Sequence, residues 1–179
     1  MFSPFLKQSV RSNYCGVYST GMLLSLMGVP TDRRRALGLF GLARTNPDFN
    51  GGCHEEIAEV VRGHTPAARV RWRWWRHFGF DETVRWARSR GQLPERPTLM
   101  TFGALHPRVN ALCVHVAVLV DAYASGILLL DPLGTAPKRR GFNVRILEAT
   151  PDDATHLVEG SFYQVVRSMR SGVLVWDPN

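Results

Sequence analysis

The chain has 179 residues, 45% of them hydrophobic, and carries a formal charge of +7 from 22 basic and 15 acidic side chains. No apolar run approaches the roughly 20 residues of a membrane-spanning helix, and Met1-Phe2-Ser3-Pro4-Phe5-Leu6-Lys7 lacks the basic-then-apolar order of a signal peptide. Cys15, Cys53 and Cys113, without any CxxC spacing, give neither a disulfide framework nor a closed structural zinc site.

The expectation is therefore a single domain over residues 1–179, made in the cytoplasm, with export by a non-classical route left open. The charge is concentrated. Nine arginines lie between Arg62 and Arg96 against Asp81, Glu82 and Glu95. Arg71-Trp72-Arg73-Trp74-Trp75-Arg76 has the composition of a stacking surface for single-stranded nucleic acid. Its apolar residues alternate, however, which describes a half-buried strand with arginines on the wet face. A protein-docking role for this stripe fits better than nucleic acid.

In chain order, Cys15 to Met27 predicts a buried helix, with Ser12 and Asn13 as candidate caps and Gly28-Val29-Pro30 as its end. Thr31 and Asp32 precede a second helix over 33–43. Asn46 to Gly52 reads as a loop, and Ile57, Val60 and Val61 mark a third helix over 55–62. Beyond Gly63 the period shortens. Strands are expected at 69–75, 97–103, 112–120, 127–130, 142–147 and 173–176, with a capped helix at 81–90 and an ambiguous stretch at 161–169. Helices first and strands later give an α+β fold, a helical half packed on an antiparallel sheet.

Three features carry possible chemistry. Cys15 opens a helix, where the aligned peptide dipoles favour a thiolate and free N–H groups face whatever the sulfur attacks. Gly16 next to it would leave room for a substrate backbone. His115 interrupts the apolar run Val114 to Val120, and Asp131-Pro132 closes the next strand. A hairpin turn centred on Tyr123 places His115 opposite Asp131, close enough for the carboxylate to hold the imidazole. Asp121 is the alternative acid if the turn is shifted. A thiol, an imidazole and an orienting acid form the triad of a nucleophilic hydrolase. Gln8 offers an amide for the oxyanion.

Cys53-His54 with His64 lacks a recognised metal-ligand spacing, and neither a metal nor a cofactor is expected. Cys113, two residues before His115, is expected to pack beneath the site as a structural residue.

The combination Gln8, Tyr14-Cys15-Gly16-Val17, Leu23 to Gly28, His115-Val116-Ala117-Val118 and Leu130-Asp131-Pro132-Leu133-Gly134 resembles papain-like cysteine peptidases. Within them it looks most like the bacteriocin-processing, double-glycine leader peptidases and their stand-alone relatives. The resemblance implies a papain-like fold with Cys15 as nucleophile, His115 as general base and then acid, Asp131 as orienter and Gln8 in the oxyanion hole. It implies a peptide or protein substrate cleaved through a thioester. Gln8 stands seven residues before Cys15, one more than the family spacing, and Tyr14 replaces the acidic residue common in transporter-linked members. The same scaffold also supports deamidase or acyl-transfer toxins and effectors, and catalytically silent peptide-binding modules. A peptidoglycan amidase is a further alternative.

Overall fold

A computed structural model describes residues 5–8, 12–43, 49, 51–65, 68–76, 79–90, 93, 95–106, 111–123, 126–133, 144–145, 155–157, 164–166 and 169–178. The helices are α1 (Cys15–Leu26), α2 (Arg33–Gly38), α3 (His54–His64) and α4 (Gly79–Arg90). The strands are β1 (Ala68–Trp75), β2 (Thr98–His106), β3 (Ala111–Tyr123), β4 (Gly126–Leu130), β5 (Val144–Arg145), β6 (Thr155–Leu157), β7 (Gln164–Val166) and β8 (Ser171–Pro178). They form a sheet in the order β1-β8-β2-β3-β4-β5; β7 also pairs with β2 and with β6. Every pairing described is antiparallel. The α+β expectation holds.

The sheet has a core on each face. Strand alternation sends Leu99, Val116, Val118, Leu130 and Leu174 into one, beneath α1, α2 and α3. The neighbours Met100, Phe102, Ala117, Leu119, Leu129 and Val173 point the other way, where Phe80 and Ala87 of α4 cover them. In α4 the buried side chains are Phe80, Thr83 and Ala87; Val84 and Trp86 are half-buried. The β1 reading is sound: Val70 is buried, Trp72 and Trp74 are half-buried on its face, and Arg69, Arg71 and Arg73 are exposed.

Helix α1 is enclosed on nearly every side. Residues 16–24 are all buried, as expected for a helix apolar around its circumference. Each large apolar side chain there contributes about 1.5–3 kcal/mol. Its C-terminus stops where Gly28 takes a φ of 85°, with Gly28 N–H donating to Ser25 and Val29 N–H to Leu24. This is the Schellman arrangement, which needs a residue tolerant of the left-handed region.

Its N-terminus differs from expectation. The cap position is Tyr14, and among the described residues no side chain caps the helix. Ser12 and Asn13 lie two and one residues too early for that geometry. The N–H groups of the first turn are thereby left without a capping side chain. α2 is shorter than the predicted segment, ending at Gly38 with the chain turning through Gly41 at φ 67°; Asp32 caps it by accepting the Arg35 N–H at 2.7 Å.

Candidate functional site

Cys15 stands at the uncapped tip of α1 and is partly exposed. His115 on β3 and Asp131, just past β4, are 2% and 0% exposed. Sequence positions 15, 115 and 131 are thus brought together. His115 Nε2 and Asp131 Oδ1 are 3.0 Å apart, and the same carboxylate oxygen accepts the Leu133 N–H at 2.8 Å. The turn after β4 therefore fixes the acid, and the acid fixes the ring. With Nε2 committed to Asp131, Nδ1 is the nitrogen left for the Cys15 thiol, to which His115 is hydrogen-bonded. Phe102, directly across the ladder from His115, presents its ring at 5.6 Å and 76°, which keeps the imidazole plane in place.

The register joining His115 to Asp131 is not the predicted one. The hairpin closes at Tyr123–Gly126, with Asp121 opposite Leu128, and Leu119 then faces Leu129 and Val118 faces Leu130. Val120 is the extra residue of a β-bulge. Asp131, one step past Leu130, stands level with Ala117, so His115 is its diagonal neighbour rather than its direct partner. Diagonal pairs are still within reach of long side chains. Asp121, the alternative acid, accepts the N–H of Ala122 at 2.8 Å instead.

Two contributors were not read from the sequence. The Cys15 sulfur accepts hydrogen bonds from the backbone N–H groups of Val116 and Gly16. Ser19, one helical turn after Cys15, donates from Oγ to the carbonyl of Val116 at 2.9 Å. Both side chains of this i, i+4 pair therefore grip one residue of β3, and that grip docks the helix tip beside His115. A hydroxyl four residues from the cysteine was the signal available, but nothing in the sequence says which carbonyl it meets.

The electrostatics follow from these contacts. Burial pushes the Cys15 thiol up, yet the His115 hydrogen bond and charge and the two N–H donors outweigh it, leaving the pKa below that of an ordinary cysteine. Burial pulls His115 down, but the Asp131 carboxylate and the Cys15 sulfur more than reverse this and hold it at about 10. Between the lowered thiol value and the raised imidazole value, the favoured state is a thiolate–imidazolium pair.

Gln8 is buried at 4% exposure. Its backbone N–H donates to Pro132 at 2.7 Å, tying the N-terminal segment to the turn that carries Asp131. Its side-chain Nε2 donates to the Ser12 carbonyl, three residues ahead of Cys15, and Oε1 is buried without a hydrogen-bond partner among the described residues. One amide hydrogen remains beyond the Ser12 bond.

One other expectation changes, at Cys113. Gly16 packs closely on α3: a Cβ there would lie 2.9 Å from Ile57 Cδ1. Cys113 is exposed rather than packed beneath the site. The Cys53–His54–His64 group disperses into separate roles. Cys53 Sγ accepts the Glu56 N–H at 3.3 Å as the cap of α3, His54 Nε2 meets Thr101 Oγ1 at 3.1 Å, and His64 Nδ1 meets the Val60 carbonyl at 2.9 Å. Among the described residues no helix is long and apolar enough to cross a membrane.

No family model and no curated protein matches the chain. Among solved structures it is similar to one described as a "putative C39-like peptidase" from Bacillus anthracis. The two share 13% identity at a TM-score of 0.47, over 99% of this chain and 96% of that one.

Proposed function

We propose that this chain is a papain-like cysteine peptidase that cleaves a peptide or protein amide bond with Cys15 as nucleophile, His115 as proton carrier and Asp131 as orienter. The observation that carries the reading is the continuous contact from the Cys15 thiol at a helix tip, through His115, to Asp131 at 3.0 Å. These groups are remote in sequence, and two of them are polar side chains buried at 2% and 0% exposure. Desolvating such a pair offsets most of the attraction between its members even when they are well paired, so stability alone is a poor account of it.

The thiolate attacks the substrate carbonyl carbon, forming the S–C bond and moving the carbonyl π electrons onto oxygen. That oxyanion is met by the Cys15 N–H at the uncapped helix tip and by the remaining Gln8 amide hydrogen. Collapse breaks the C–N bond while imidazolium gives its Nδ1 proton to the departing amine, leaving a thioester and neutral His115. The neutral ring then takes a proton from water, whose oxygen attacks the thioester. Breakdown of the second intermediate releases the acid and restores the ion pair.

The test is incubation with a mixed peptide library, read by mass spectrometry. Cleavage products that vanish in Cys15→Ala and His115→Ala support the reading. Mass gains of one dalton without backbone cleavage point to deamidation, and the absence of both reactions points to a binding module.

A further inference from the structure

The line of β4 is interrupted at the site. β4 pairs with β3 only as far as Leu130 opposite Val118. At the next outward-facing residue, Val116, the place of a strand is taken by α1, with Ser19 Oγ on its carbonyl at 2.9 Å. Polar backbone groups alternate between the two edges of a strand. Val114 and Leu112 therefore aim their N–H and C=O groups to the same edge as Val116, and no described strand pairs with them there. β2 occupies the opposite edge, with Gly103 across from Val114 and Leu105 across from Leu112.

The side chains at this edge, unpaired among the described residues, are unusual for a surface. Leu112 is 60% and Val114 51% exposed, and they are the exposed large hydrophobic side chains among the described residues. They sit at alternate positions, on the face shared with Val116, and the half-buried Leu105 lies across the ladder from Leu112. An unpaired edge lined with apolar side chains is normally blunted by charge or covered. Here charge is absent from 111–114, although the chain is rich in arginine.

We infer that this edge is the substrate-docking strand: an extended peptide adds to β3 alongside Leu112 and Val114, on the line vacated by β4, and leads its scissile carbonyl to Cys15. The inference rests on the cysteine-peptidase reading and names its substrate class, a segment that is extended next to the cut and carries apolar side chains at alternate positions. Main-chain pairing supplies register, and contacts with Leu112 and Val114 supply preference. The occupant is a substrate because the edge runs directly into the thiol–imidazole pair.

The experiment compares cleavage-site profiles of wild type, Leu112→Asp and Val114→Asp on a mixed peptide library, with Leu112→Val as the conservative control. Both positions are more than half exposed, so the aspartates leave the fold intact, which thermal melts verify. Wild type is expected to enrich apolar residues two apart on one side of the cut. Each aspartate should reduce cleavage of those peptides at least about tenfold relative to peptides without the alternate apolar pattern, and Leu112→Val should retain the preference; alkylation of Cys15 by iodoacetamide, compared between wild type and His115→Ala, reports on the thiol–imidazole pair. Cleavage with no alternate apolar preference, or a profile unmoved by the aspartates, overturns the docking strand while leaving the peptidase reading intact. Absence of cleavage also overturns it, and alkylation that no longer depends on His115 removes the catalytic reading as well. If the aspartates only dissociate a dimer in sedimentation, the edge is a self-association surface and the inference fails.

Discussion

His115 reaches Asp131 because Val120 is an extra residue in β3. Extending the hairpin register of Asp121 opposite Leu128 without a bulge would set Asp131 opposite Val118, with its side chain on the other face of the sheet from His115. The bulge shifts the remainder by one residue, and the carboxylate comes to the imidazole at 3.0 Å. Deleting Val120 should therefore separate the pair as well as remove a buried side chain.

Asp131→Asn should lower kcat/KM by about 10²-fold, because the charge that holds His115 protonated is lost while an oxygen remains for the Leu133 N–H. The alkaline limb of the pH profile should move to lower pH. Asp121→Asn, whose carboxylate caps its own strand at Ala122, should leave the rate unchanged. Steady-state kinetics of both variants on one peptide decide between the two acids.

The pH dependence follows from the two shifts. Cys15 lies below the ordinary thiol value and His115 is held at about 10, so the thiolate–imidazolium pair exists between them. Alkylation of Cys15 by iodoacetamide should reach its plateau at a lower pH than for an ordinary cysteine and fall below that as the thiolate takes up a proton. Peptide cleavage, which also needs the imidazolium proton, should fall again as pH rises through the His115 value. In His115→Gln the thiol loses its cationic neighbour, and the acid limb of alkylation should rise toward that of a free cysteine. A wild-type alkylation profile centred on the ordinary thiol pKa would contradict the ion pair.

How much of this was legible in the sequence depends on the range of the interaction concerned. The apolar run from Val114 to Val120, the interruption at His115 and the helix beginning at Cys15 are local patterns, and local patterns fix elements. A hairpin centred on Tyr123 points to Asp131, but the correct face emerges from a compensation: the predicted register is two residues off, which preserves the side of the sheet. The bulge at Val120 has no local signature, since valine suits a regular strand equally well. Ser12 and Asn13 are good capping residues in composition, yet the chain delays the helix to Cys15, where a free helix tip can serve the thiol. The Ser19–Val116 bond joins residues 97 apart in sequence, and only the packing of α1 on β3 creates it. Strand β6 at 155–157 has three residues and no long alternation, too little pattern to predict a strand.

Gln8→Ala separates oxyanion stabilisation from thiol activation. Alkylation by iodoacetamide passes through no oxyanion, whereas amide cleavage does. The variant should lose about 10²–10³-fold in kcat and keep the alkylation rate of wild type. Equal losses in both measurements would mean that Gln8 acts by holding the segment before α1 through its bonds to Ser12 and Pro132.

Ser19→Ala removes the hydroxyl that satisfies the buried Val116 carbonyl. Leaving that acceptor unpaired should cost about 1–3 kcal/mol in a chemical denaturation experiment. Because the same residue of β3 donates its N–H to the Cys15 sulfur, the loosened strand should also raise the thiol pKa. Ser19→Thr keeps the hydroxyl and should retain the low pKa if the added methyl is accommodated. A loss of stability in Ser19→Ala with no change in the alkylation pH profile would show that the grip on Val116 is structural alone.

Gly21 tests the packing that seats α1, independently of the chemistry. A Cβ there would lie 2.9 Å from both Ala36 Cβ and Leu6 Cδ1 and 3.1 Å from Thr31 Cγ2. Ala36 Cβ is fixed to the backbone of α2 and cannot rotate away, so the helix pair must separate. Gly21→Ala should destabilise the protein by about 1–3 kcal/mol, despite a gain of up to about 1 kcal/mol in helix propensity. At Gly16 the nearest atom is the terminal carbon of Ile57, a side-chain end able to move, so Gly16→Ala should cost less, and pairing it with Ile57→Val should recover most of that loss. Denaturation midpoints of Gly21→Ala, Gly16→Ala and the Gly16→Ala/Ile57→Val double variant measure the ordering, and a Gly21→Ala protein as stable as wild type would mean that α1 and α2 are not in tight contact.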